Sequence, residues 1–592
     1  MLTGLLIIFL FVFPTFLRYF NITKDRPKTY EVDTANHDEG SFVHNARNKA
    51  LFGKWILDND DWNPIFLYPS YTYVWYLFFK LFGVGIVQGR LLGVIFGLLS
   101  LILFYKTVKK GYDQKTAVIA TLFLSYNFIL IMFHSSMMLE TFMMFFIILT
   151  FYFWEIAIRK HKYLFLVGFS SFLAVIAKAS SIWIIGTCIL SLIPLLLQDI
   201  MKKNFASSKN QKIVFYFLTG LIVCILLFLV FFFIPNLSYI KLNLIDNQIG
   251  RVMGKTPVPL IYEVSTILFN TQFILRVPIA SILAFIYTIY FVTNLPKNFK
   301  EADYMDFFVL SWIFFMFVYF FIFDSPLRRM IAMIPALAVF SARTILNIRT
   351  IFENKKEKNK FKYIFKTILV FTLIYMVIAN IIMYGFKSIL KIFHPALMKI
   401  LSILSLNLPP FASNALDATI SVVFAFILAG IILFFVRKTK LNLALTKKIR
   451  RIQTRKIIIL VVMLSILIDL GQYASWSLRY DDSFYRASRE LGQMLPENEK
   501  VYGMFSTGLS IENKIIPVYH EVPLINHKNR FERDDIRYIL IVLKSDFHTG
   551  EREVAEFKEY YPKLKLIRIF YINDAEGTEI GLFDKFPEKK IV

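Results

Sequence analysis

The sequence predicts a polytopic α-helical membrane protein of about thirteen transmembrane helices with a small α/β domain at its C-terminal end. Two observations lead there. Hydrophobic residues make up 57% of the 592 and charged residues only 18%, against roughly 45–50% and about 25% in soluble chains. The apolar residues also come in blocks of about 20 divided by polar breaks, the length that crosses a hydrocarbon core of roughly 30 Å as a helix. A soluble enzyme is excluded by that pattern.

In chain order the blocks are 2–20, 84–105, 117–133, 138–158, 163–177, 181–197 and 215–235, then 277–295, 306–323, 330–345, 364–385, 419–436 and 457–473. The first lacks a basic leading segment and a small-residue cleavage site, so it is read as a retained span and not a signal peptide. Cys188 and Cys224 both lie inside apolar blocks, which suits packed small side chains better than a disulfide or a metal site.

The net charge of +25 does not point to nucleic acid, because the excess Lys and Arg lie between the blocks. Loops 106–115, 159–162, 202–212, 297–300, 349–362 and 437–456 are all basic. With this span count they fall on one side, which the positive-inside rule makes cytoplasmic. The densest run, Lys447 to Lys456, suits a solvated loop beside anionic lipid headgroups.

The opposite, extracytoplasmic face then carries loops 21–83, 236–276 and 386–418 and, after an odd number of spans, the polar stretch 476–592. That stretch has helical spacing at 483–494 and 551–560 and β-prone runs at 500–505, 514–518, 538–542 and 564–571. The organisation expected is a membrane domain over 1–475 and an extracytoplasmic α/β domain over 476–592. The localisation expected is the plasma membrane.

Loop 21–83 holds the acidic pair Asp38 and Glu39 and many aromatic residues, among them Trp55, Trp62, Tyr68, Tyr71 and Trp75, as in a segment lying in the membrane interface. Its histidines, His37 and His44, are read as exposed and polar. Acidic residues in such a loop are ordinarily just solvated. Two further features change the reading. Glu140 enters an apolar span, where a carboxylate costs about 2.5–3.5 kcal/mol; Asp469, late in the last span, is a weaker case of the same kind. Lys178, Arg328 and Arg329 stand at the outer ends of spans, against the positive-inside pattern. Adjacent helical residues face different ways, so Asp38 and Glu39 cannot both address one atom, and either Arg328 or Arg329 could be the inward one.

Acids and cations converging on the outer membrane boundary fit the transfer of a sugar from a lipid phosphate. A general base takes the proton of the acceptor hydroxyl, and cations neutralise the charge gathering on the departing phosphate. One carboxylate suffices where the displacement inverts the anomeric centre.

These residues resemble the GT-C membrane glycosyltransferases of the protein O-mannosyltransferase and aminoarabinose transferase superfamily. The resemblance runs in order through Asp38-Glu39, Ala46-Arg47, Tyr68-Pro69 to Gly83, Arg90-Leu-Leu-Gly, Glu140, the Lys178-ended fifth span, and Arg328-Arg329 to Pro335. It implies a GT-C fold, with Asp38 as the base and Glu39 orienting its neighbours, beside Glu140. Lys178, Arg328 and Arg329 would hold the donor phosphate, and Arg47, Tyr68 and Arg90 would support the acceptor or the loop. It further implies an inverting transfer from a polyprenyl-phosphate sugar to a lipid, glycan or protein hydroxyl on the extracytoplasmic face. Three positions depart from the pattern: Glu140 replaces the commoner Asp, Ser70 replaces a second Pro, and Tyr68 stands where aminoarabinose transferases have Lys.

No cofactor is required by this chemistry. A divalent metal beside the carboxylates is compatible with it, although no His/Cys cluster argues for one. The alternative from a different class is a polytopic transporter or glycolipid flippase, which favours paired halves or helices broken at midplane; a non-catalytic membrane scaffold is another. The sequence leaves the sugar, acceptor and carrier length open.

Overall fold

A computed structural model describes residues 2–26, 35–57, 60–200, 208–241, 277–296, 299–322, 331–353, 454–520, 529–545, 548–572 and 577–588. Two compact units emerge. One comprises Met1–Pro259, Pro296–Val339 and Ile466–Val592, the other Leu260–Leu295 and Phe340–Ser465.

The larger unit opens with α1, the consecutive helical segments Leu2–Ile7, Ile8–Val12 and Phe13–Phe20. It continues with α2 (Ala35–Phe52), α3 (Pro69–Phe82), α4 (Ile86–Gly111), α5 (Gln114–Ser125), α6 (Phe128–His134), α7 (Leu139–Arg159) and α8 (Leu164–Ala177). Then come α9 (Trp183–Ile200) and α10 (Ser208–Phe228). Among the described residues six helices are long and apolar enough to cross a membrane: Ile86–Gly111, Leu139–Arg159, Ala179–Leu197, Asn210–Ile240, Glu301–Tyr319 and Ile459–Met494. The pair α5 and α6, bent by 66°, adds a seventh if counted as one span, and Gly4–Phe20, His161–Ala177, Ile279–Thr293 and Ile331–Leu346 are shorter apolar helices. The spans expected at 364–385 and 419–436 lie outside the described residues.

Local chemistry explains the boundaries. The Asp113 carboxylate accepts from the backbone N–H groups of Lys115 and Thr116 at 2.7 and 3.0 Å and so caps α5. Asn127 does the same for α6 by accepting from the Leu130 N–H at 3.1 Å. Pro69 opens α3 where a missing N–H costs nothing. Apolar side chains face both ways, as a membrane solvent demands. Trp75, Trp154 and Trp312 are fully enclosed, while Leu226, Val230, Phe231 and Ile234 stay exposed along 210–240.

Loop 21–83 carries the helices α2 and α3. Its α2 buries Glu39, Ser41, His44, Asn45, Arg47 and Asn48 at once. Such a helix holds only because neighbours supply hydrogen bonds. The Asn45 amide donates to the Trp55 carbonyl at 2.7 Å and to Asn63 at 2.9 Å, and its oxygen accepts from the Ile65 N–H at 2.9 Å. His44, read from sequence as exposed, is instead buried against Asp60 and Asn48.

Past the last long helix, α11 (Thr454–Arg479), the chain forms α12 (Ser483–Met494), the short α13 (Ser506–Leu509), α14 (Glu551–Tyr560) and strands β1 (Lys500–Gly503), β2 (Ile516–Val518), β3 (Tyr538–Ser545), β4 (His548–Thr549), β5 (Lys565–Ile572) and β6 (Thr578–Asp584). The sheet order is β2-β1-β3-β6-β5, with β4 off β3. β1 runs parallel to β2 and β3, whereas β6 is antiparallel to β3 and β5, with Ile539 opposite Phe583 and Phe570 opposite Ile580. β6 escapes the sequence reading although it is central. Its Gly581 and flanking charges resemble turn residues, and burial on nearly every position removes the alternation that marks a half-exposed strand.

Candidate active site

Three segments far apart in sequence meet at Glu39. α2 presents its carboxylate and α4 brings Arg90, which donates Nε–H to Oε2 at 2.8 Å and Nη2–H to Oε1 at 3.1 Å. Neither side chain is more than 1% exposed. The same guanidinium donates through Nη1 to the carbonyls of Ile22 at 2.7 Å and Lys24 at 3.1 Å, so the chain leaving α1 is tied to the pair.

The third segment is 135–140, which leaves α6 and enters the first turn of α7. The Met137 N–H donates to Glu39 Oε2 at 3.2 Å, and the Tyr71 hydroxyl of α3 donates to the Met137 carbonyl. A glycine makes this approach feasible: a Cβ on Gly93 of α4 would lie 2.5 Å from the Ser136 carbonyl oxygen. Burial raises the Tyr71 phenol well above its ordinary value, and the charges of Glu39 and Glu140 add to the rise.

Glu140 lies in the first turn of α7 and forms an ion pair with Lys178, the residue that ends α8. Each charge suits the end of the helix that carries it, an anion at an N-terminus and a cation at a C-terminus. Lys178 is 12% exposed and Glu140 is enclosed.

The sequence-predicted residues thus separate into groups. Glu39, Arg90, Glu140 and Lys178 form two ion pairs joined by segment 137–140. Asp38 precedes Glu39 on α2 and is partly exposed. Tyr68 stands before α3, its ring edge-on to Phe42 at 5.7 Å and its carbonyl accepting from the Thr72 N–H at 3.0 Å. Arg47 points elsewhere, donating to the carbonyls of Ser510, Asn513 and Ile515. Arg328 and Arg329 lie outside the described residues. Among the described residues no group of three or more His, Cys, Asp or Glu gathers as metal ligands. Cys188 and Cys224 are both buried free thiols.

Sequence reasoning missed the buried polar residues late in α1 and just after it. Arg18 is buried and donates to His134 Nδ1 at 3.1 Å and to the Ser125 carbonyl at 2.9 Å. Asp25 accepts from Ser483 and from the Phe484 N–H, and Arg26 donates to Ser135 and lies 5.1 Å over the Trp476 ring. The signal that singled out Glu140, an ion inside an apolar block, applies equally to Arg18.

Residues 64–234 match the family model described as dolichyl-phosphate-mannose-protein mannosyltransferase. No curated protein sequence matches the chain. Among solved structures, ArnT from Cupriavidus metallidurans bound to undecaprenyl phosphate aligns over 98% of this chain and 98% of its own, at 13% identity and a TM-score of 0.54. Apo ArnT from the same organism aligns over 92% of this chain and 93% of its own, at 12% identity and a TM-score of 0.49. An apo oligosaccharyltransferase from Archaeoglobus fulgidus aligns over 91% of this chain and 69% of its own, at 10% identity and a TM-score of 0.47. In sequence over residues 64–234 and in fold along nearly its whole length, the chain resembles the GT-C membrane glycosyltransferases of the protein O-mannosyltransferase and ArnT-like superfamily.

Proposed function

We propose that this chain is a membrane glycosyltransferase that moves a sugar, with inversion, from a polyprenyl-phosphate donor to an acceptor hydroxyl on the extracytoplasmic face of the plasma membrane. The family match and the ArnT fold, whose solved example holds undecaprenyl phosphate, support the reaction class. The basic loops, which fall on one side under the thirteen-span count, support the sidedness.

The observation that carries the reading is the convergence of Glu39–Arg90 and Glu140–Lys178 on segment 137–140. Glu39 has both oxygens committed to Arg90, so it orients and does not accept a proton. Asp38, one residue earlier and partly exposed, is the base. It takes the proton of the acceptor hydroxyl while that oxygen bonds to the anomeric carbon. The bond from that carbon to the phosphate oxygen breaks on the opposite face, and its electron pair leaves with the polyprenyl phosphate. Arg328 and Arg329 neutralise that phosphate, and Lys178 adds to them, its charge partly offset by Glu140. The step requires no cofactor.

The test is incubation of the purified full-length protein with a panel of polyprenyl-phosphate sugars. Release of polyprenyl phosphate, abolished in Asp38→Asn, is the expected result. If no donor turned over while reconstituted vesicles moved a solute or glycolipid, the transporter or flippase reading would replace this one.

A further inference from the structure

The segment between β1 and β2 touches both helices that carry the Glu39–Arg90 pair. On α2 it is held by Arg47, whose enclosed guanidinium donates Nε–H to the Ser510 carbonyl at 2.9 Å and Nη2–H to the carbonyls of Asn513 and Ile515, each at 2.8 Å. Seven residues earlier on the same helix, Gly40 lies directly on α13. A Cβ there would stand 2.5 Å from Gly508 Cα, closer than any side chain tolerates. On α4 the contact is Glu512, whose carboxylate accepts from the Ile86 N–H at the first residue of that helix. Arg90 is about one turn further on.

The segment is itself fixed. The Glu512 N–H donates to Ser488 Oγ at 3.0 Å, and the Asn513 amide donates to the carbonyls of Ser488 at 2.7 Å and Leu509 at 2.8 Å. Ser506 Oγ donates to the Val518 carbonyl of β2 at 3.0 Å. A sheet and a helix thus hold one rigid loop, and that loop holds α2 through one side chain and α4 through another.

We infer that segment 506–515 is a positioning element of the carboxylate site, with Arg47 and Glu512 as its positioning residues, an inference that rests on the proposed function. The segment sets the spacing of α2 and α4 at which Glu39 and Arg90 meet, and with it the place of Asp38. It lies outside the part of the chain that matches the family model, residues 64–234. A joint that merely attached the C-terminal sheet would need α2 alone. Glu512 acting on α4 is what such a joint lacks.

The experiment uses the full-length protein in lipid nanodiscs, with whichever polyprenyl-phosphate sugar the panel shows to be turned over. Glu512→Ala is expected to lower kcat about 10-fold or more and leave the donor KM within about twofold, the signature of lost alignment and not of lost binding. Glu512→Gln keeps an acceptor oxygen for the Ile86 N–H and is expected to restore kcat to within about threefold of the parent. Hydrogen exchange supplies a readout independent of activity. In Glu512→Ala, amides of 86–92 and 38–48 should exchange about 10-fold faster while β6 keeps its protection. Unchanged kcat and unchanged exchange in those helices, with β6 protected, would overturn the inference. If Glu512→Ala also unfolds the sheet, Arg47→Lys, which loses the fork but keeps a cation, decides by the same two readouts. If the parent protein turns over no donor, the proposed function fails, and the exchange arm still tells whether 506–515 holds the two helices.

Discussion

Glu39 and Arg90 meet through two parallel hydrogen bonds, at 2.8 and 3.1 Å, with neither side chain reaching solvent. A planar guanidinium matches a carboxylate in this way and an ammonium does not. Burial makes the pair a weak source of net stability, because desolvation offsets most of its attraction, but losing one partner strands the other.

Arg90→Met is therefore expected to destabilise the folded protein by about 3–5 kcal/mol, since it leaves a buried carboxylate without its partner. Glu39→Gln combined with Arg90→Met should recover part of that loss. Thermal unfolding of the purified variants in one detergent is the measurement, and simple additivity of the two single losses would refute the idea that they act as a pair.

The Glu140–Lys178 pair makes a similar prediction with a smaller size, because Lys178 keeps some contact with solvent. A double-mutant cycle of Glu140→Gln and Lys178→Met should return a coupling of about 1–3 kcal/mol. If Lys178 instead served the donor phosphate alone, Lys178→Met would weaken donor binding and leave stability and the coupling near zero.

Much of the helical architecture was legible because block length reports directly on a bilayer. Helix ends at 159, 177 and 293 fall within two residues of the apolar blocks predicted from composition. Of the charged residues, Glu39, Arg90, Glu140 and Lys178 were legible as candidates one at a time. Their partners were not. Nothing in the sequence spacing pairs Glu39 with Arg90 rather than with Lys178, since the choice is made by how α2 and α4 pack. In loop 21–83, His44 was misread as exposed for a related reason. α2 is polar on every side, so it shows no apolar stripe, and only its buried partners reveal that His44, Asn45 and Arg47 are interior.

Asp25 gives a pH prediction. Burial raises its carboxyl from the ordinary value of 3.8 to about 6, against the opposing pull of Ser483, Arg90 and the Phe484 N–H and with a further push from Asp481. The folded state therefore binds this proton more tightly than the unfolded chain does. Its contribution to stability is fully present below about pH 4 and is lost as pH rises through about 6, a change on the order of 3 kcal/mol. Unfolding measured between pH 4 and 7 should show this fall, superimposed on other titrations. Asp25→Asn should flatten it across that window, and an unchanged slope in the variant would mean the carboxyl does not titrate there.

The break between α5 and α6 is held from both sides by buried polar side chains. Arg18 donates to the Ser125 carbonyl that ends α5, at 2.9 Å, and Asp469 of α11 accepts from the Phe128 N–H that begins α6, at 3.0 Å. Each side chain satisfies a backbone group that a helix end leaves open. Through α6 the arrangement reaches His134, which Arg18 also holds, and then the Met137 N–H on Glu39. Replacing Asp469 with Leu would leave the buried Phe128 N–H without its acceptor, a loss of about 1–3 kcal/mol. Asp469→Asn keeps an acceptor oxygen and should cost clearly less. Because the displaced α6 feeds segment 134–137, Asp469→Leu should also slow release of polyprenyl phosphate more than Asp469→Asn does. Equal stability and equal turnover in the two variants would show that the break is held by packing alone.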